Sequence, residues 1–173
     1  MKTLFAPAAI CACMLIATAC HKDDDTGNNT TPSKTDEAFM TKAAYANLAE
    51  QDAGSLAAVQ ATDSATKAFG VQMVAEHGAA YAELKVIADG YNATLPSAPD
   101  SMHKLMKDTL MTLTGHAFDS AYISAQIRDH QTAVALFRDE ADNGTGKLKD
   151  YAVKYLPHIQ EHLAKADSIM ANF

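Results

Sequence analysis

Four long stretches of the chain carry apolar residues at alternating spacings of three and four, and this pattern limits the possible folds more than any other feature. The stripes begin at Phe39, Phe69, Ile123 and Leu148. Such spacing places apolar side chains on one face of an α-helix. No stretch has the strict alternation that is typical of a half-buried strand. The sequence therefore predicts an all-α fold in which four amphipathic helices pack through their apolar faces.

Capping residues and helix breakers set the expected boundaries. The predicted helices cover five ranges: about 36–61, 63–90, 100–115, 117–142 and 146–170. Thr35 or Asp36 is expected to cap the first helix, and Asp63 or Ser64 the second. Short turns within each pair of long helices indicate two antiparallel hairpins. Residues 36–171 should therefore form a four-helix bundle, with a short extra helix between the second and third long helices.

Residues that disrupt helices lie inside these segments. Pro157 removes one backbone hydrogen bond and is expected to kink or restart the last helix. Glycine is costly in a helix interior, yet Gly54, Gly70 and Gly78 stand within the first two helices. Close approach of those two helices is the expected reason.

Each long helix places one side chain that can bind metal within its apolar stripe. These residues are Glu50, His77, His130 and His162. At about 1.5 Å per residue, the first two lie about 17 and 21 Å from the first hairpin turn, and the others about 18 and 24 Å from the second. All four are expected at the mid-level of the bundle. One carboxylate and three imidazoles at one level predict a site for a single transition-metal ion, such as zinc, copper or iron.

An acidic residue directly precedes each of these histidines: Glu76, Asp129 and Glu161. Adjacent residues point about 100° apart on a helix, so each acid flanks the stripe. There it either orients a ligand or lies in water. His158, one turn from His162, is expected at the surface or in the same cluster. The other histidines are expected at the surface: His21, His103 and His116.

Two alternatives to a metal site remain open at this point. A Glu/His cluster in an apolar stripe is also expected of a buried hydrogen-bond network, in which the four side chains only stabilise the core. Such a cluster could equally bind another ligand or take part in catalysis. The sequence contains no Gly-rich phosphate loop, nucleophile elbow or His-Glu-x-x-His motif. It therefore favours a non-enzymatic role.

The charge balance excludes one class of partner. The chain has 14 Lys and Arg against 21 Asp and Glu, a formal net charge of −7. Binding to phosphate backbones needs clustered basic side chains. We therefore expect no nucleic-acid partner.

The start of the chain has the features of a secretory signal. Lys2 precedes an apolar run from Leu4 to Ala17 that is too short for a membrane span. Small residues follow up to Cys20. Residues 1–19 are therefore expected to form a signal peptide.

Cleavage before Cys20 would leave it as the sole cysteine, because Cys11 and Cys13 lie in the removed segment. The site is similar to the lipobox of bacterial lipoproteins, although Ala17 stands where Leu is usual. A lone thiol is a liability in an oxidising compartment, and acylation removes it. We expect Cys20 to be lipidated. The alternative is a secreted protein with a free N-terminal cysteine.

The charged run 21–25 follows the cysteine and is similar to a lysine-plus-acid surface-export signal of lipoproteins in some Gram-negative bacteria. A solvated charge run is the alternative. Residues 20–35 otherwise lack the apolar content needed to order a chain, which predicts a disordered tether. We expect an outer-membrane lipoprotein, at the cell surface if the export signal is genuine, whose membrane contact is the lipid on Cys20.

Several motifs resemble a bacterial family described as a domain of unknown function and numbered 4142. The resemblance covers about 36–166. It rests on these residues: Phe39 with Ala43 and Ala44, Glu50 before Leu56 and Ala57, Met73 and Val74 with Glu76 and His77, Phe118 and Asp119 with Tyr122, Asp129 with His130, and Leu156 and Pro157 with His162 and Leu163. It implies a ferritin-like bundle in an exported protein whose biochemical role is not established.

The chain departs from the ferritin-like di-iron pattern, in which two helices carry Glu-x-x-His. Val74, Ile127 and Ile159 stand three residues before the histidines, so a di-iron centre is not supported. The sequence favours a cell-envelope lipoprotein with a binding or stress-related role. One alternative is a mononuclear transition-metal protein, with or without redox activity. The other is a surface structural or adhesion module.

Overall fold

The computed structural model describes residues 32–173, which form five α-helices and no strand. The helices are α1 Lys34–Gln60, α2 Ser64–Gly90, α3 Ser101–Met111, α4 Gly115–Asn143 and α5 Gly146–Met170. The predicted all-α class, with a short extra helix before the third long one, is confirmed. None of these helices combines the length and apolar character needed to cross a membrane. The predictions for the signal peptide, Cys20 and His21 lie outside the described residues.

Side-chain caps begin the first three helices. Asp63 and Asp100 cap α2 and α3. The cap of α1 is Ser33 rather than the predicted Thr35 or Asp36. Ser33 and Asp36 each accept a hydrogen bond from the other's backbone N–H, an arrangement that satisfies two helix-end donors at once. Thr35, which the sequence assigned to the tether, is therefore helical.

Two residues expected to end or bend helices act differently. Gly115 was expected near the end of the short helix, but it has a φ of +58° and begins α4, while α3 already ends at Met111. α5 continues through Pro157 without the predicted restart. Pro157 and Val153, whose carbonyl loses its helical partner there, are both exposed. Water can satisfy that carbonyl, so the helix does not break.

The four long helices form two hairpins that pack side by side. α1 pairs with α2 and α4 with α5, and α1 also packs on α4 and α2 on α5. Asp119, near the start of α4, accepts hydrogen bonds from the backbone N–H groups of Thr62 and Asp63 at 3.0 and 2.9 Å. α4 thus begins at the end of the bundle where α2 begins, and the two run parallel. The segment containing α3 crosses the bundle's length, like the single long crossover of ferritin-like folds.

The glycine pair of α1 and α2 marks a close helix crossing. A Cβ at Gly54 would lie 2.8 Å from the carbonyl oxygen of Gly70, and one at Gly70 would lie 2.8 Å from that of Gly54. The predicted close approach is confirmed for this pair. It is wrong for Gly78, where a Cβ would meet only the Gln51 side chain at 3.5 Å. Gly78 faces a flexible side chain rather than the backbone of α1.

The apolar core consists of two clusters, one toward each end of the bundle. The first includes Phe39, Met40, Leu84, Phe137, Leu148 and Tyr151. The second includes Phe69, Met73, Phe118, Tyr122, Ile123 and Ile169. On each long helix, buried polar residues lie between the positions that belong to the two clusters. The bundle therefore has a polar layer at mid-height, as the polar residues within the apolar stripes predicted.

Candidate metal centre

Three histidines converge within this polar layer. His77, His130 and His162 are 7%, 1% and 3% exposed. Their ring centroids are 5.4 to 5.6 Å apart. One nitrogen from each ring lies within 4.8 Å of the other two. Bonds of about 2 Å to a shared ion require nitrogens no more than about 4 Å apart, so the rings would have to move closer together to share one.

One nitrogen of each ring lies within hydrogen-bond distance of an oxygen atom of another residue. His77 Nδ1 lies 2.9 Å from Asn47 Oδ1, and His130 Nδ1 lies 2.9 Å from the backbone oxygen of Gln126. His162 Nε2 lies 2.8 Å from Glu76 Oε2. Each oxygen accepts, so the ring nitrogen facing it carries the proton. The opposite nitrogen of each ring then presents a lone pair, which is the form that binds metal.

A chain of hydrogen bonds fixes the orientation of the Asn47 amide. Its Nδ2 donates to Tyr151 Oη at 3.1 Å, and Tyr151 Oη donates to the Ala80 carbonyl at 3.1 Å. Asn47 Oδ1 is therefore directed at His77. The tautomer of His77 follows from this chain.

The three opposite nitrogens have no partner. His77 Nε2, His130 Nε2 and His162 Nδ1 are buried and make no hydrogen bond to any described residue. A buried acceptor without a partner costs about 1–3 kcal/mol. Three such nitrogens, on rings whose centroids lie 5.4 to 5.6 Å apart, form a set of lone pairs that a cation can satisfy.

The electrostatics keep the rings neutral. Burial lowers the pKa of His77 well below its usual value, and His130 and His162 lower it further. Burial likewise lowers the pKa of His130, although its hydrogen bond to the Gln126 carbonyl opposes the shift. Burial also lowers the pKa of His162, where Glu76 opposes it. Protons therefore do not compete with a metal ion near neutral pH.

Glu50 does not join the three histidines, although the sequence placed it among the ligands. It is buried and accepts a hydrogen bond from Gln126 Nε2 at 2.6 Å. Its Oε1 lies 3.7 Å from His130 Nδ1, the nitrogen on the side away from the converging lone pairs. Burial raises its pKa to about 8. Helix heights placed Glu50 at the correct level but could not determine which side of His130 it would face.

The acids that precede the histidines have different positions. Glu76 contacts His162 on a neighbouring helix, as the flanking position allowed. Asp129 pairs with Arg128, and Glu161 and His158 are exposed. Of the other described histidines, His116 is exposed as predicted, whereas His103 is half-buried and its Nδ1 lies 2.9 Å from Oδ2 of the α3 cap Asp100.

Asn47 and Gln126 were not identified from the sequence. Asn47 holds His77, and Gln126 holds both His130, through its carbonyl, and Glu50, through its side chain. Each stands one helical turn before a stripe residue already singled out, Asn47 before Glu50 and Gln126 before His130. An Asn or Gln one helical turn from a histidine or carboxylate in an apolar stripe is the sequence signal that would have indicated these two residues.

Comparisons with known proteins bear on the fold and the family. The crystal structure of a DUF305 fragment from Deinococcus radiodurans is similar to this chain with a TM-score of 0.74. The match has 10% sequence identity and covers 83% of this chain and 100% of the fragment, so it shows the helical fold alone. No curated protein matches the chain. The family model for the domain of unknown function DUF4142 matches residues 22–169. The chain therefore belongs to the DUF4142 family, as its motifs predicted.

Proposed function

We propose that this protein binds a single transition-metal ion through His77, His130 and His162. One observation carries the proposal. Each ring has one nitrogen held by an oxygen and the other buried without a partner. Metal-binding histidines generally have this arrangement, because a hydrogen bond to the outer nitrogen fixes the tautomer and the ring orientation.

A hydrogen-bond network explains the same cluster less well. The protons of the three rings are directed outward to Asn47, Gln126 and Glu76. No ring has a second proton to donate to its neighbours while it stays neutral. Glu50 lies on the far side of His130 and cannot supply one. A cation satisfies all three lone pairs, whereas a network among these groups leaves them unpaired.

The donor set favours a particular class of ion. Three neutral imidazoles without a thiolate suit zinc, copper, nickel or iron in the divalent state. No carboxylate belongs to the converging group within residues 32–173. The proposed centre is therefore mononuclear, and three protein ligands leave a fourth position free.

Metal titration tests the proposal. Protein purified without an affinity tag or chelator should bind one equivalent of Zn²⁺ or Cu²⁺ by calorimetry. At a free metal concentration about one hundred times Kd, the melting temperature should rise by roughly 5–10 °C. His77→Ala and His162→Ala should lose both effects.

His158→Ala is the matched control, since His158 is exposed on α5 one turn from His162. It should behave as wild type. A wild-type protein whose melting temperature ignores Zn²⁺, Cu²⁺, Ni²⁺ and Co²⁺ contradicts the proposal, and the cluster is then structural.

We also propose that the bundle works in the cell envelope as a lipoprotein. The small residues before Cys20, the apolar run that precedes them and the polar segment that follows support this location. A binding role in metal supply or metal stress is consistent with both proposals.

A further inference from the structure

A cavity of about 480 Å³ lies against the three-histidine cluster. Of its polar lining residues, His77, His162 and Asn47 are the buried ones. Its walls are mostly apolar and come from α1, α2, α4 and α5; they include Ala46, Ala80, Ala133, Phe137 and Ile159. A cavity of this size, with an apolar wall and a few polar groups, is typical of a site for a small organic molecule.

The cavity opens between α2 and α5. Four of its lining residues are exposed: Ala79, Lys154, His158 and Glu161. Lys154 Nζ and Tyr155 Oη both donate to Glu83, which neutralises the positive charge nearest the opening. Glu76 accepts a hydrogen bond from His162, but that ring is neutral, so the carboxylate keeps its negative charge. With the exposed Glu161, it makes the opening acidic, which disfavours an anionic ligand, and the mostly apolar walls favour a neutral one.

No Cys, Asp, Glu or further His side chain within residues 32–173 joins the three histidines to fill the fourth coordination position. Glu50 is held by Gln126 on the side of His130 away from the lone pairs. The cavity borders two of the three ligand rings. A molecule in the cavity can therefore place a donor atom at the ion.

We infer that this cavity binds a small neutral molecule, with an apolar body and one nitrogen or oxygen lone pair, whose donor atom occupies the fourth position of the metal. The inference rests on the proposed metal site and adds the class of ligand that the site accepts. The donor atom meets the ion, and the apolar body lies against Ala133, Phe137 and Ile159.

Cobalt-loaded protein provides the test, because the visible spectrum of Co²⁺ changes when its fourth ligand changes. Imidazole and 4-phenylimidazole share the donor and differ in the apolar ring. We expect both to shift the spectrum and 4-phenylimidazole to bind roughly tenfold or more tightly, since its phenyl group is buried in the cavity.

Filling the cavity should remove this preference. Ala133→Phe should weaken 4-phenylimidazole binding by about tenfold or more and leave Co²⁺ binding unchanged. Ala141→Phe is the matched control, because Ala141 is also half-buried on α4 but does not line the cavity. If Ala133→Phe fails to fold, Ala46→Leu fills the cavity from α1.

Each outcome decides a separate point. The ligand inference is overturned if the histidines bind Co²⁺ but 4-phenylimidazole binds no more tightly than imidazole. It is also overturned if Ala133→Phe and Ala46→Leu leave 4-phenylimidazole binding unchanged. In both cases the metal site still stands. Failure to bind Co²⁺ overturns the ligand inference, and the metal site falls with it when Zn²⁺, Cu²⁺ and Ni²⁺ also fail to bind. The inference is supported if 4-phenylimidazole binds more tightly than imidazole and the cavity-filling substitution removes that difference.

Discussion

The carboxylate of Glu76 connects the buried cluster to the surface. Its side chain is 42% exposed, yet its Oε2 lies 2.8 Å from Nε2 of His162, which is 4% exposed. Through this contact Glu76 directs the His162 proton outward and turns Nδ1 toward the other rings. We therefore assign Glu76 a positioning role.

Glu76→Ala should lower metal affinity roughly 10–100-fold, because the ring loses the partner that fixes its tautomer and orientation. Calorimetry with Zn²⁺ measures the change. Glu161→Ala, an exposed acid adjacent to His162 in the sequence, serves as the control and should change affinity little. Equal affinities of Glu76→Ala and wild type would mean that Glu76 does not position the ring.

Glu50 should control how the stability of the metal-free protein depends on pH. Burial raises its pKa from 4.5 to about 8. Between these values the folded state holds a proton that the unfolded chain has lost, so this stabilisation is complete below pH 4.5 and disappears as pH rises through 8. The buried histidines have the opposite sign, because their lowered pKa values cost stability only as pH falls below 6.5.

From pH 7 to 8 the free energy of unfolding of wild type should therefore fall by about 1 kcal/mol more than that of Glu50→Gln. Urea denaturation in the presence of a chelator measures it. Glu161→Gln should retain the wild-type dependence. Parallel pH profiles for wild type and Glu50→Gln would show that Glu50 is already ionised in the folded protein.

At the level of single residues, the sequence predicted the three histidines and failed on the groups around them. Periodicity and helical rise determine which residue of a helix faces the core and at what height. They do not determine the rotation of one helix against the next. That rotation placed Glu50 behind His130 and brought Asn47 and Gln126 to the ring nitrogens.

The close crossing of α1 and α2 leads to a test at the level of helices. A methyl group at Gly70 would lie 2.8 Å from the Gly54 carbonyl oxygen and 2.9 Å from the backbone nitrogen of Ala58. Backbone atoms cannot rotate away as a side chain can, so the two helices must separate. Gly70→Ala should lower the free energy of unfolding by about 1–3 kcal/mol.

Gly78→Ala is the matched substitution on the same helix. It meets only the flexible Gln51 side chain at 3.5 Å, and alanine favours a helix over glycine by up to about 1 kcal/mol. It should stabilise the protein. Urea denaturation of both variants tests the opposite signs, and a Gly70→Ala variant as stable as wild type would contradict the close crossing.

The helices themselves were largely predictable, because a repeated apolar stripe and a helix-breaking residue at its end define a helix from nearby residues alone. Their exact ends were less so. Ser33 begins α1 because Asp36, three residues on, completes the reciprocal cap. Gly115 begins a helix because its positive φ turns the chain into α4. Both depend on backbone conformation, which composition alone does not specify.

On the scale of the whole molecule, the proposed ion would join the two hairpins. His77 belongs to the α1–α2 hairpin, whereas His130 and His162 belong to the α4–α5 hairpin. The apolar clusters lie above and below this layer. A bound ion would thus add a link at the level where apolar packing is interrupted, which is why metal should raise the melting temperature of the whole bundle.

The proposed attachment of this protein to a membrane depends on Cys20. The sequence predicts cleavage before this residue and acylation of its thiol, and an acylated protein partitions into detergent on phase separation. Mass spectrometry of the mature N-terminal peptide should find Cys20 carrying acyl chains. Cys20→Ser should abolish both the modification and the partitioning. Cys13→Ser should change neither, because Cys13 lies in the segment expected to be removed. Wild-type protein with an unmodified Cys20 that stays in the aqueous phase would instead indicate simple secretion.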